Sequence, residues 1–230
     1  MRYDCALPHE LEQEIARSPV CYLPWGALEW HGQHLALGND ALKAEAICER
    51  VAEAAGGVVA PPVWVGAQTM QLYGMPLTLD FSHEVVGRLA GEYLRELEKL
   101  GFALTVILAG HYGAKHLATL REAVEAFQAE HTMQAWVVPD YEPVQDLGYR
   151  GDHAAKWETS ILMHLRPELV DMSRLPSDPA ASLAGVGGED PREHARPEVG
   201  EEIVAAIVER LAGRVRAFLE DGRGGAGPPG

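Results

Sequence analysis

Cysteine is scarce and unpaired in this 230-residue chain. Cys5, Cys21 and Cys48 show no spacing that suits a disulfide framework or a zinc knuckle, and they read as reduced thiols. Basic residues are also in short supply: 19 Lys and Arg face 34 Asp and Glu, a formal net charge of -15. That excess argues against nucleic acid or an anionic membrane as the main partner, and it favours a bound divalent cation. No apolar run reaches about 18 residues, and Met1-Arg-Tyr-Asp-Cys5 lacks the apolar core of a signal peptide. The expectation is a soluble, cytoplasmic protein that neither spans nor coats a membrane. There is no internal repeat. With 47% hydrophobic residues, the length suits one sizeable domain, expected over 1–221, followed by a disordered tail over 222–230.

What is present is concentrated. From Val20 to Asp40 a short apolar run with the look of a buried strand leads into polar ligating groups, and Glu29, His31, His34 and Asp40 fall within 12 positions. Buried charges are costly unless paired or bound to a cation, so their proximity needs a reason. If the chain stays extended, Glu29 and His31 share a face, while Asp40 opens a helical pattern running to residue 55.

The rest alternates. Residues 8–17 form a short amphipathic helix, 20–24 a strand, and 58–65 a strand bent or placed at an edge by Pro61-Pro62. Residues 66–81 make a loop long enough to line a site, and Ser82 caps a helix to residue 100. Residues 103–109 are the clearest buried strand; a Gly110-His111-Tyr112-Gly113 turn, a helix over 114–131 and a strand over 134–138 follow. Residues 154–165 are helical, 166–197 are a long surface segment suited to a lid or subunit contact, and 198–219 are a final helix. Strands separated by helices must cross over, which predicts a three-layer α/β/α fold with a mostly parallel central sheet. Ligands bind beyond the carboxyl ends of such strands, which is where residues 29–40 and residue 111 fall.

Four clusters carry the chemistry: Glu29-Trp30-His31-Gly32-Gln33-His34-Leu35, Asp40, Gly110-His111, and His153-Ala-Ala-Lys-Trp-Glu158-Thr159-Ser160. In this order they resemble the creatininase (creatinine amidohydrolase) family, over roughly residues 18–172. The resemblance implies a dinuclear metal hydrolase. Glu29, Asp40 and His111 would hold one ion and His31 with Asp40 the second, so that Asp40 bridges. An imidazole and carboxylate set without thiolate suits zinc first, with manganese or iron(II) as alternatives. Two such ions would bridge a hydroxide that attacks an amide or formamide carbon.

By the same resemblance, His153 with Asp152 occupies the position that carries the proton to the departing nitrogen. Gly113 stands where creatininase has a second-metal Glu, Asp152 where it has a Glu, and Gln68 and Gln71 where the loop usually carries a His. Glu158 is the candidate to complete the second site; its alternative is a helix-start carboxylate bonded to Thr159, Ser160 or backbone amides. His153 could instead be a capping residue. His34 reads as a donor to a ligating carboxylate, and His83, His116 and His131 as ordinary surface or capping residues.

The expected activity is cleavage of a non-peptide C–N bond, a cyclic amide or formamide, in a small polar substrate. The rivals are a metallopeptidase trimming a short precursor peptide and a non-catalytic binding or scaffold subunit. The resemblance implies a homo-oligomer, since members of that family assemble as hexamers.

Overall fold

A computed structural model describes residues 1–224, with side chains to residue 221. Four strands form one sheet in the order β2-β1-β3-β4, every pair parallel: β1 (Val20–Trp25), β2 (Val58–Val59), β3 (Leu104–Ala109) and β4 (Gln134–Pro139). The helices that carry the crossovers are α2 (Asn39–Ala55), α3 (His83–Lys99) and α4 (Ala114–Gln128), with α1 (Pro8–Arg17) ahead of β1. After β4 come α5 (Lys156–Leu165), the four-residue α6 (Pro191–His194) and the long α7 (Pro197–Gly224). The tail expected from residue 222 lies, beyond Gly224, outside the described residues.

β1 and β3 are buried throughout, as strands covered on both faces must be. Alternation along them feeds two cores. Val20, Tyr22, Leu104, Val106 and Leu108 pack with Ile47 and Val51 of α2, Ile161 of α5 and Ile207 and Leu211 of α7. Cys21, Leu23, Trp25 and Ile107 turn the other way, against Val86 and Leu94 of α3 and Leu120 and Phe127 of α4. The sheet therefore lies between two helical layers, the three-layer arrangement expected from the alternation of strands and helices. β2 is one of the two edge strands and stops after two residues, shortly before Pro61-Pro62, which lack ladder donors.

Two local expectations need correction. The chain does not stay extended after β1: residues 26–38 coil, and Gly32 turns them with φ +66°. The helix expected from residue 154 begins at Lys156, because Ala154 takes φ +52° and turns the chain sharply just before it.

The sheet and α2 are joined by contacts only glycine allows. A Cβ on Gly26, just past β1, would lie 2.2 Å from the Ala41 backbone nitrogen, and one on Gly110, just past β3, 2.1 Å from the Asp40 carbonyl oxygen. The first turn of α2 is thus seated on the carboxyl ends of the two central strands, and Asp40 with it.

Candidate metal centre

Each polar side chain of the site leaves the sheet or a helix end at one edge of the fold. Glu29 and His31 lie on the loop after β1, Asp40 in the first turn of α2, His111 just past β3, Asp140 directly after β4, and Glu158 in the first turn of α5. All six are buried. Glu29, Asp40, His111 and Glu158 line a cavity of about 340 Å³, whose walls include Gln68, Met70 and Tyr73 of the 66–81 loop, Tyr112, Tyr141 and Arg150; His31 touches Asp40, and Asp140 is reached through Lys43.

Asp40 is the shared member. Its Oδ1 lies 2.8 Å from His31 Nε2, and its Oδ2 lies 3.5 Å from His111 Nδ1. Two triads result, Glu29–Asp40–His111 and His31–Asp40–Glu158, each with ligand atoms within 4.8 Å of one another; a third set, Glu29–His31–His153, satisfies the same limit. Glu29 and His31 meet in that third set, although the chain between them coils and does not run extended.

Both imidazoles are held with one nitrogen free for the site. His111 Nε2 donates to the Ala67 carbonyl at 2.9 Å and His31 Nδ1 to the Glu29 carbonyl at 3.1 Å. That leaves His111 Nδ1, 2.7 Å from Glu29 Oε1, and His31 Nε2, which is buried without an aligned hydrogen bond. Backbone carbonyls fixing the far nitrogen are the usual support of a metal-binding histidine.

Charge points the same way. Glu29, Asp40, Asp140 and Glu158 are each no more than 2% exposed, and among the described residues Lys43, fully buried, is the one Lys or Arg paired with them. Such an excess of buried negative charge requires cations. Burial opposes charge on His31, yet the Asp40, Glu158 and Glu29 carboxylates raise its pKa to about 9. His111, also desolvated, is carried up to about 10 by Asp40 and Glu29. Burial disfavours ionised Asp40, but His31 and His111 hold its carboxyl well below the usual range. The donor set, its free nitrogens and its charge fit divalent metal.

The structure brings Glu29, Asp40, His111, Glu158, Asp152 and His153 to one cavity, with His31 beside Asp40, Glu158 and His153. His153 lies just before α5, its ring stacked on His31 at 4.3 Å, its Nε2 donating to the Trp30 carbonyl at 2.8 Å. The Asp152 carboxylate turns away from His153 and accepts the amides of Trp157 and Glu158, which caps α5. Glu158 accepts Ala154 N–H at 2.7 Å, as its backbone-amide alternative anticipated, and still faces His31. The 166–197 segment lies over this region: Gly187 pairs with His153 and the Ala184 carbonyl accepts Trp30 Nε1.

Other expectations fail. His34 bonds to Thr159 Oγ1 at 2.9 Å and not to a carboxylate, since the Gly32 turn carries it towards α5. His116 is buried, 4.8 Å ring to ring from His111, because the first turn of α4 points into the fold below the site.

Lys43 and Asp140 join the site without belonging to any of the four clusters. Lys43 sits one turn after Asp40, on the stripe that continues through Ile47 and Val51 into the core, so helical periodicity marks it as inward-facing. Asp140 obeys the strand-end rule that singled out residue 111.

Gly113 has a neighbour that accounts for its size. A Cβ there would lie 3.0 Å from the Gln68 carbonyl oxygen and 3.3 Å from Gln68 Oε1. Gln68, at φ +60°, occupies that space and is fixed by Lys115 N–H donating to Oε1 at 2.6 Å.

A family profile for creatininase, described as creatinine amidohydrolase, matches residues 8–215. The chain is 29% identical to creatinine amidohydrolase of Pseudomonas putida over 242 aligned positions, covering 90% of this chain and 93% of the relative. It is 30% identical over 230 positions to the mycofactocin precursor peptide peptidase of Mycolicibacterium smegmatis, covering 90% and 88%. A solved mutant creatininase of the Zn-Zn type superposes with a TM-score of 0.81 at 25% identity, over 94% of this chain and 97% of that one. Matched from its first helix into its last, the chain belongs to the creatininase family.

Proposed function

We propose that this protein is a metal-dependent amidohydrolase holding two divalent ions, zinc first among them, and cleaving a non-peptide C–N bond in a small polar substrate. The observation that carries the reading is Asp40, whose two carboxylate oxygens face different triads. One ion would take Glu29, Asp40 and His111, the other His31, Asp40 and Glu158. Ions held there would supply Lewis acidity towards a carbonyl oxygen and make water a nucleophile near neutral pH.

The chain's own groups do the rest. The cavity of about 340 Å³ suits a small molecule and not a folded partner. His153, with Nε2 committed to the Trp30 carbonyl, keeps Nδ1 free to carry a proton to the departing nitrogen. Asp152 acts through α5, whose first turn it fixes and with it Glu158. Burial pulls the His153 pKa down and the neighbouring His31 adds to this, so the ring is neutral and able to accept.

Asp40→Asn keeps the shape and removes the shared charge. Metal analysis is expected to fall from about two ions per chain to at most one, with hydrolysis of amide substrates lost by at least about 10³-fold. A full complement of ions in folded Asp40→Asn protein overturns the reading.

The peptidase relative, as similar as the amidohydrolase, favours a second reading in which the bond belongs to a short precursor peptide. A screen of formamides, lactams and C-terminal dipeptides separates the two: turnover confined to the peptides selects the second.

A further inference from the structure

Lys43 is the largest charged side chain in the interior, and its surroundings are fully specified. Its ammonium donates to Glu158 Oε1 at 2.6 Å and to Tyr112 Oη at 3.3 Å, and lies 2.9 Å from Asp140 Oδ2 in an ion pair too bent to count as a hydrogen bond. Asp140 is itself held by Tyr149, whose hydroxyl donates to Oδ1 at 2.9 Å. The Tyr112 ring lies beneath the ammonium at 4.7 Å.

Counting lone pairs on Glu158 gives this cage a purpose. Oε1 accepts both Lys43 Nζ and the Tyr112 hydroxyl, each at 2.6 Å. A carboxylate oxygen accepts about two such bonds, so Oε1 has nothing left to offer. Oε2 takes one bond, from Ala154 N–H at 2.7 Å, and its remaining side lies 3.5 Å from His31 Nε2. The amide that fills Oε2 is presented by the positive-φ turn at Ala154, a conformation that costs energy and persists where the surroundings demand it.

We propose that Lys43, with Tyr112, is the positioning element of the second metal site: it ties down Glu158 Oε1 so that Glu158 offers Oε2 alone, as a single-point ligand. This rests on the reading of Glu158 as a ligand. It answers what stands in for a carboxylate at position 113, since Gln68 fills that space and the second ion must draw its oxygen from the opposite wall. Lys43 also offsets one of the two negative charges it touches, which lets Asp140 and Glu158 remain ionised in the interior.

The test compares Glu158→Gln, Lys43→Gln and Tyr112→Phe, each stripped of metal and titrated with zinc against a chromophoric chelator. Cobalt spectra report the coordination of each site. Glu158→Gln is expected to lose the second zinc. Lys43→Gln is expected to weaken the second zinc about 10–100-fold, the range for groups that orient a ligand, while the first stays within about threefold. Its cobalt bands should change at the second site only. Tyr112→Phe leaves no stranded charge and is expected to shift the same site in the same direction by a smaller factor; it decides the matter alone should Lys43→Gln not fold.

Wild-type affinities for both zinc ions in folded Lys43→Gln or Tyr112→Phe, with the second ion lost from Glu158→Gln, overturn the proposal and leave the metal reading standing. Equal weakening of both sites in folded Lys43→Gln overturns it too, as the mark of a general structural role. Two wild-type affinities in Glu158→Gln remove Glu158 from the metal site and the proposal with it.

Discussion

Replacing Gly110 by alanine puts a methyl carbon 2.1 Å from the Asp40 carbonyl oxygen, 2.7 Å from its carbonyl carbon and 3.1 Å from its Cα. All three are backbone atoms, so no side-chain rotation relieves the clash. Non-bonded carbon and oxygen settle at roughly 3.5 Å, so β3 and the first turn of α2 must separate by more than about 1 Å. Overpacking of this kind costs about 1–3 kcal/mol, or a fall in Tm of roughly 3–10 °C in a domain of this size.

The functional effect is expected to be larger than the structural one, because the displaced residue is the carboxylate shared by both triads. A misplacement of about 1 Å is enough for a 10²-fold loss of rate. Gly213→Ala is the control: nothing lies within 4 Å of its Cβ in the middle of α7, and removing a helical glycine there should stabilise by about 0.5–1 kcal/mol. Calorimetry, zinc content and amide hydrolysis on both variants give the comparison. Gly110→Ala protein with an unchanged Tm and a full zinc complement would refute the seating of α2 on the strand ends.

Two further outcomes follow from the charges. Protein stripped of metal should unfold earlier than loaded protein, and zinc at 100 times its Kd should restore about 2.7 kcal/mol; a melting curve indifferent to zinc contradicts the electrostatic account of the site. On the far side of the molecule, the Glu98 carboxylate accepts the amides of Met133 and Thr132 and pairs with His131. The Met133 amide leads in bringing its pKa down to about 2, against desolvation and with His131 and the Thr132 amide adding to it. A depressed carboxyl pKa contributes stability that is complete above the ordinary value and disappears as pH falls through the folded one. The advantage of wild type over Glu98→Gln, read from urea unfolding, should therefore shrink steadily between about pH 5 and pH 2. A difference constant over that range counts against it.

The sheet was legible because burial on both faces writes itself as unbroken apolar runs, and β1 and β3 fall within a residue or so of where those runs lie. Asp40 was legible because a carboxylate at a helix start needs only local geometry. His34 was not. Its partner is decided by the Gly32 turn and by Thr159, which lies 125 residues away, and no periodicity reports on either. His116 was missed for a related reason: it was read as surface, although it begins a helix whose inward stripe includes Leu117 and Leu120. Glu98 belongs to an acidic run on α3 that has the pattern of a solvated face, yet it anchors the turn into β4.

Two of the departures from the family pattern, Gly113 and Gln68, looked independent along the chain and are one feature in space. With no side chain at 113, Gln68 moves in against that backbone and is held by Lys115 N–H. On the two-ion reading proposed above, the oxygen for the second ion would come from the start of α5. Glu158 is there, but a carboxylate so deeply buried beside Asp40 and Asp140 is untenable without a cation of its own. Lys43 supplies that charge from α2, on the same helix face as Asp40. On that reading glycine at 113 and lysine at 43 work together: Glu158 would supply the oxygen that position 113 cannot, and Lys43 supplies the charge that offsets Glu158 in the interior.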